Sequence, residues 1–177
     1  IMTEFERNKY LEAYYENEAD ANKQMSIANA FGAALLLGIW ICYMTGAFYA
    51  SPAIMPLINV AFPISVLILL TPLLYVFAFK SRLKKPNYKF FVIFSFVMVI
   101  AVLNVILPRN SFIGWALCII MTNHYYNPKV GRITFGVIAV LMLLCLFFSL
   151  FVGEYDANIL GVKEVVNNDA VEVFGVK

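Results

Sequence analysis

Residues 24–79 read QMSIANAFGAALLLGIWICYMTGAFYASPAIMPLINVAFPISVLILLTPLLYVFAF, 56 residues without one charged side chain. A helix of that length, at about 1.5 Å per residue, covers about two and a half bilayer thicknesses, so the chain has to turn back within it. The turn falls at Ala50-Ser51-Pro52-Ala53-Ile54-Met55-Pro56, where two prolines four apart spoil a continuous helix. Two apolar spans follow from this stretch alone, near 26–49 and 56–79.

The same pattern extends downstream. From Gln24 through Gly153 there is no acidic residue, and the eight positive charges sit in three places. Lys80, Arg82, Lys84, Lys85 and Lys89 form one cluster, Lys129 and Arg132 a second, and Arg109 stands alone. The uncharged runs between them give three further spans, near 90–107, 111–127 and 133–152, the fourth span closing on a polar turn. A composition of 62% hydrophobic and 14% charged residues, with a mean hydropathy of +0.80, lies outside the range of soluble domains. The runs are apolar all round rather than alternating, so helices are expected and barrel strands are not. The fold class is an all-α polytopic membrane bundle of about five helices (25–153), preceded by an acidic helix (1–24) and followed by an extracytoplasmic segment (154–177).

Orientation follows from Lys and Arg. With the N-terminus inside, ten such residues lie on the inner side and three, Arg109, Lys163 and Lys177, on the outer. The chain is therefore expected N-in and C-out, and the loop Lys80–Lys89 is its main topology anchor, each charge near anionic headgroups contributing roughly 1 kcal/mol. The first span follows an acidic region rather than a short basic one, which excludes a cleaved signal peptide. Cys42, Cys118 and Cys145 all fall inside spans with no CxxC spacing and read as structural thiols.

Thr3 and Glu6 have capping-box spacing, so a helix is expected to start at Thr3. It either extends the first span as a solvated rod or contacts a cytoplasmic partner. Span one carries Ala30, Ala34, Gly38, Cys42 and Gly46 at intervals of four, a stripe on which helix backbones approach closely in lipid. Its partner is either another span of the same chain or a second copy, giving a homodimer. Asn59, Asn104, Asn123, His124 and Tyr125 are the candidates for lining a cavity or touching a ligand. The competing reading is interhelical hydrogen bonding for the span asparagines and an interfacial belt for residues 123–125. Val162–Val166 and Ala170–Val176 suggest a short hairpin.

Several chemistries are excluded. No Asp or Glu lies in any span, which argues against intramembrane aspartyl proteolysis and carboxylate-coupled transport. A single histidine leaves no His-rich metal or haem site, and no HExxH, GxSxG, Walker or GxGxxG motif occurs. No catalytic residue, metal, cofactor or nucleic-acid partner is expected; the expected partner is the lipid bilayer.

The acidic helix Glu4–Asp20, the compact hairpins and the exit segment Phe151-Val-Gly-Glu-Tyr-Asp-Ala-Asn-Ile-Leu160 resemble the multi-span N-terminal membrane regions of bacterial signalling proteins. Those regions precede a cytoplasmic output domain such as a diguanylate cyclase, phosphodiesterase, histidine kinase or serine phosphatase. The resemblance implies a sensory or anchoring role, a signal passed by helix movement, and a dimer; no output-domain signature is present to carry over. Ile1 ahead of Met2 and the stop at Lys177 fit a piece of a longer protein with a sixth span and a soluble domain. The competing expectations are a small transporter or channel component, with Asn59, Thr71, Asn104 and Asn123 along a polar path, and an accessory subunit of a membrane complex. A polar face shared by spans favours transport, and a dry bundle favours sensing or assembly.

Overall fold

A computed structural model describes residues 3–48, 50, 52, 54–79, 83–111, 113–125 and 127–152, with the backbone alone for Arg109, Asn110 and Val152. The regular structure among the described residues is all helical, without strands: α1 (Glu4–Met44), α2 (Met55–Ala78), α3 (Tyr88–Ile106), the single turn α4 (Pro108–Ser111), α5 (Gly114–Asn123) and α6 (Pro128–Val152). Four of them, α1, α2, α3 and α6, are long and apolar enough to cross a membrane. The expected 154–177 segment with its hairpin, and Lys80 and Arg82 of the anchor, lie outside the described residues.

The acidic N-terminal helix and the first span are one rod of 41 residues. It begins with the capping box: Thr3 Oγ1 accepts from Glu6 N–H at 3.3 Å, and Glu6 Oε2 accepts from Thr3 N–H at 2.8 Å. Those hydrogen bonds, the backbone one first, hold the Glu6 carboxyl below its usual range. The rod ends five residues earlier than the expected span. Gly46, at φ +76°, takes the left-handed conformation that ends helices, and Thr45 and Phe48 N–H groups cap Ile41 and Cys42 carbonyls. Gly46 of the stripe thus lies just past the last turn of α1.

α2 keeps its two internal prolines, Pro63 and Pro72. Pro72 has no N–H for the Ile68 carbonyl, and the Thr71 hydroxyl donates to that carbonyl instead, at 2.7 Å. α3 is the central helix: 56% of its most apolar window is buried, against 22–33% for the other long helices. It packs on α1 and α2 on one side and on α5 and α6 on the other. Phe62, Ile58 and Leu69 of α2 meet Ala33 and Leu36 of α1 and Val99 and Leu103 of α3 in one cluster. Ile93, Val97 and Ala101 of α3 meet Trp115, Cys118, Ile138 and Cys145 in another. The outer faces are apolar too: Leu67, Leu74 and Phe77 on α2 and Leu143, Leu150 and Phe151 on α6 are more than 60% exposed, as lipid-facing residues are.

The expected fourth span, 111–127, is broken. α5 has 10 residues, about 15 Å of rise, half a bilayer. Two side chains brace the break: Asn104 Nδ2 donates to the Pro108 carbonyl (3.2 Å) and Ser111 Oγ to the Leu107 carbonyl (2.6 Å). α5 starts with Gly114 against Ile100, two thirds along α3, and is followed by Tyr125 beside Glu18 and Lys89. The chain therefore returns to the end at which α3 begins, and α6 traverses the bundle again. Asn127 caps α6, its Oδ1 accepting from Lys129 N–H (3.0 Å) and Val130 N–H (3.4 Å), so Lys129 and Arg132 belong to the first turns of α6.

The small-residue stripe does not pack within the chain. Ala34 and Gly38 are exposed, Ala30 and Cys42 half-buried, and a Cβ at Gly38 would meet nothing within 4 Å. The inward face of α1 is a different one, made of Glu18, Asn22, Met25, Ser26, Asn29, Ala33, Leu36 and Tyr43.

Candidate functional site

The inward face of α1 changes character along its length. Beyond Ala33 it is apolar; from Glu18 to Asn29 its buried side chains, Met25 apart, are polar at intervals of three and four, and each polar one is held by α3 or by the loop before it. Asn22 Nδ2 donates to the Leu83 carbonyl (2.8 Å). Ser26 Oγ donates to the Asn22 carbonyl (2.7 Å) and lies 3.2 Å from Tyr88 Oη, which itself donates to the Pro72 carbonyl of α2 (2.8 Å). Asn29 Nδ2 donates to the Val92 carbonyl and to Ser95 Oγ, both at 3.0 Å. Prolines and helix ends leave orphan carbonyls in lipid, and this ladder places amide and hydroxyl donors against several backbone acceptors of the bundle.

The ladder ends in an ion pair. Lys89 Nζ donates to Glu18 Oε1 at 2.6 Å, with side chains only 8% and 6% exposed. Lys89 is therefore not a solvated anchor like its neighbours; it is the inward arm of the cluster. Lys84 does behave as expected of a surface charge, 3.6 Å from Glu16 with both side chains more than half exposed. Lys85 is exposed and borders a shallow pocket with Tyr75 and Tyr88.

Around the ion pair lies a cavity of about 260 Å³ lined by Tyr14, Asn17, Glu18, Ala21, Lys89, His124, Tyr125 and Asn127. Three elements build it: α1, the start of α3, and the α5–α6 junction. The rim is exposed and the floor is Glu18 and Lys89. Two polar atoms there lack hydrogen-bond partners, Glu18 Oε2 and Tyr125 Oη. Burial pushes the Tyr125 phenol up, and Tyr88 and Glu18 nearby add to the shift, so it stays a protonated donor at neutral pH. At the rim, His124 Nε2 lies 3.1 Å from Gln24 Oε1, and Asn127 Nδ2 donates to Tyr14 Oη at 3.4 Å.

Of the five sequence candidates, His124 and Tyr125 line this cavity, and Asn123, exposed, lies beside it at the end of α5. Asn59 accepts from Trp40 Nε1 (3.2 Å), an interhelical bond between α1 and α2. Asn104 is buried at the opposite end of the bundle, holding the α4 turn. The candidates do not converge. Glu18, Asn22, Ser26 and Asn29 were missed by sequence reasoning, although they recur at helical spacing on one face, and Lys89 was read only as part of the topology anchor.

The opposite end has a larger groove, about 510 Å³, lined almost wholly by apolar residues including Leu36, Phe62, Ile100 and Leu117. It opens beside the short α5. No group of three or more His, Cys, Asp or Glu side chains able to hold a metal occurs among the described residues. Comparison with known proteins found no matching family model, no matching curated protein and no matching solved structure.

Proposed function

We propose that this chain is the membrane-embedded sensory or anchoring region of a bacterial signal-transduction protein, with its N-terminus in the cytoplasm. It passes its signal by movement of α1 to a cytoplasmic output domain. The observation that carries this reading is the joint between α1 and the bundle. One rigid rod runs from deep in the apolar core, past a polar ladder and a buried ion pair, to an exposed acidic end. A packed apolar interface holds one position; a few polar contacts around a cavity offer discrete alternatives that a stimulus can bias. The outward stripe of Ala30, Ala34, Gly38 and Cys42, unpartnered in this chain, supports a homodimer in which such movement is read by a second copy.

A transport role has less support. Asn59, Thr71, Asn104 and Asn123 were its polar path, and they are an interhelical bond, a bond within α2, a turn brace and an end residue. The test is a distance measurement. Spin labels at Glu12→Cys and Lys129→Cys, in a background without the native thiols, report the angle of α1 against the bundle in nanodiscs. Opening the joint with Lys89→Met should shift or broaden the distance distribution. An unchanged distribution would remove the movable-joint reading.

A further inference from the structure

We propose that the cavity at the α1–α3 joint is a binding site for a small zwitterion, an ammonium and an oxyanion a few ångströms apart. The claim needs only the bundle and is independent of any signalling role.

The cavity supplies matched and unused valences. Glu18 gives one oxygen to Lys89 and keeps Oε2, a buried acceptor with no partner. Lys89 Nζ makes one hydrogen bond, to Glu18, of the three an ammonium can donate. Tyr125 Oη, also buried and unpartnered, adds a neutral donor. A ligand that completes this set carries a donor for Glu18 and an acceptor for Lys89 and Tyr125.

Charge balance narrows the class. The Glu18–Lys89 pair is neutral as a unit and is screened from water. A plain cation entering beside it meets Lys89 without a counter-charge, and a plain anion meets Glu18 Oε2 in the same way. A buried unpaired charge is costly, whereas a zwitterion gives each charge an opposite one. Phosphate-rich ligands are disfavoured by the free carboxylate oxygen. Size agrees: about 260 Å³ is just below the ~300 Å³ at which pockets for drug-sized ligands begin, which suits a solute of amino-acid size. Tyr14 adds an aromatic ring to the lining, which favours an ammonium.

Two sources offer this chemistry, a free amino acid and the ethanolamine headgroup of a lipid. The chain is reconstituted in nanodiscs of phosphatidylglycerol alone, which has no ammonium, and in discs that also hold phosphatidylethanolamine. Each is titrated with alanine and the other common amino acids, with ethylamine and propionate as the halves of alanine. Binding is followed by calorimetry and thermal shift. A free-solute site predicts saturable binding of at least one amino acid in both discs, about tenfold or more tighter than its amine or acid half. A headgroup site predicts a thermal shift on adding phosphatidylethanolamine and loss of amino-acid binding there. In either case Tyr125→Phe should weaken binding about tenfold, the loss of one hydrogen bond, while Asn59→Ala, away from the cavity, should not. The proposal is overturned if no amino acid binds up to about 10 mM, tenfold above a millimolar Kd, and phosphatidylethanolamine has no effect. It is equally overturned if the amine or the acid alone binds as tightly as the whole amino acid, or if Tyr125→Phe binds unchanged.

Discussion

Replacing Lys89 with Met strands the Glu18 carboxylate in a site only 6% exposed. At 2.6 Å the pair attracts by about 6 kcal/mol at an effective dielectric of 20, before the cost of removing both charges from water. Breaking one side of such a buried pair costs about 3–5 kcal/mol, because the desolvation cost of the survivor remains. Replacing both, Glu18→Met with Lys89→Met, should be far milder, from neutral to about 1–4 kcal/mol stabilising. The neighbouring pair is the internal control. Lys84 and Glu16, at 3.6 Å and more than half exposed, should couple by less than about 1 kcal/mol. The assay is a double-mutant cycle for each pair, read by steric trapping in bicelles at fixed lipid composition. A large coupling for Glu18–Lys89 beside a small one for Glu16–Lys84 is expected. If Lys89→Met costs no more than Lys84→Met, Lys89 is solvated and the α1–α3 joint as described does not exist.

Tyr125→Phe removes a buried hydroxyl without a partner, so the unliganded bundle should hold its stability or gain about 1 kcal/mol, checked by thermal unfolding in nanodiscs. Gly114→Ala places a Cβ 2.5 Å from Ile100 Cδ1 and 3.0 Å from its Cγ2, and should destabilise by about 1–3 kcal/mol; Gly38→Ala, with nothing within 4 Å, should be neutral or slightly stabilising in the monomer. Gly38→Leu then separates the two roles of that face: unchanged monomer stability with lost cross-linking between copies marks a dimer contact, and unchanged cross-linking sinks it. Thr71→Val leaves the Ile68 carbonyl beside Pro72 without its donor and should cost about 0.5–1.5 kcal/mol by the same unfolding assay. The raised pKa of Tyr125 means the folded state holds its proton more tightly than the unfolded chain. The stability this contributes is present below tyrosine's ordinary value near 10 and is lost as pH rises above it. An ultraviolet titration should show late-titrating phenol absorbance that falls by one tyrosine in Tyr125→Phe.

The parts of this fold that are local were legible in the sequence. The Thr3–Glu6 capping box, the proline break before α2 and the apolar helices follow from spacing and composition over a few residues. The joint was not, because its partners lie 61 to 71 residues apart and several acceptors are backbone carbonyls, Leu83 and Val92, which carry no sequence signature. Lys89 looked like one more positive charge in a loop of five; only burial against Glu18 distinguishes it. The small-residue stripe drew attention to the wrong face of α1 for packing within the chain. Glycine and alanine at intervals of four fit a close helix contact, but the pattern does not name the contact's owner. The short α5, which starts with Gly114 close against Ile100, was hidden by a hydropathy run of nearly full length.

The central claim, that this bundle serves a domain beyond it, is tested most directly by the coding sequence downstream of Lys177 in the native gene. The account predicts a further span followed by a cytoplasmic domain with an output-domain signature. A stop codon directly after Lys177 would contradict it and leave the bundle a self-contained membrane protein or a subunit of a larger complex.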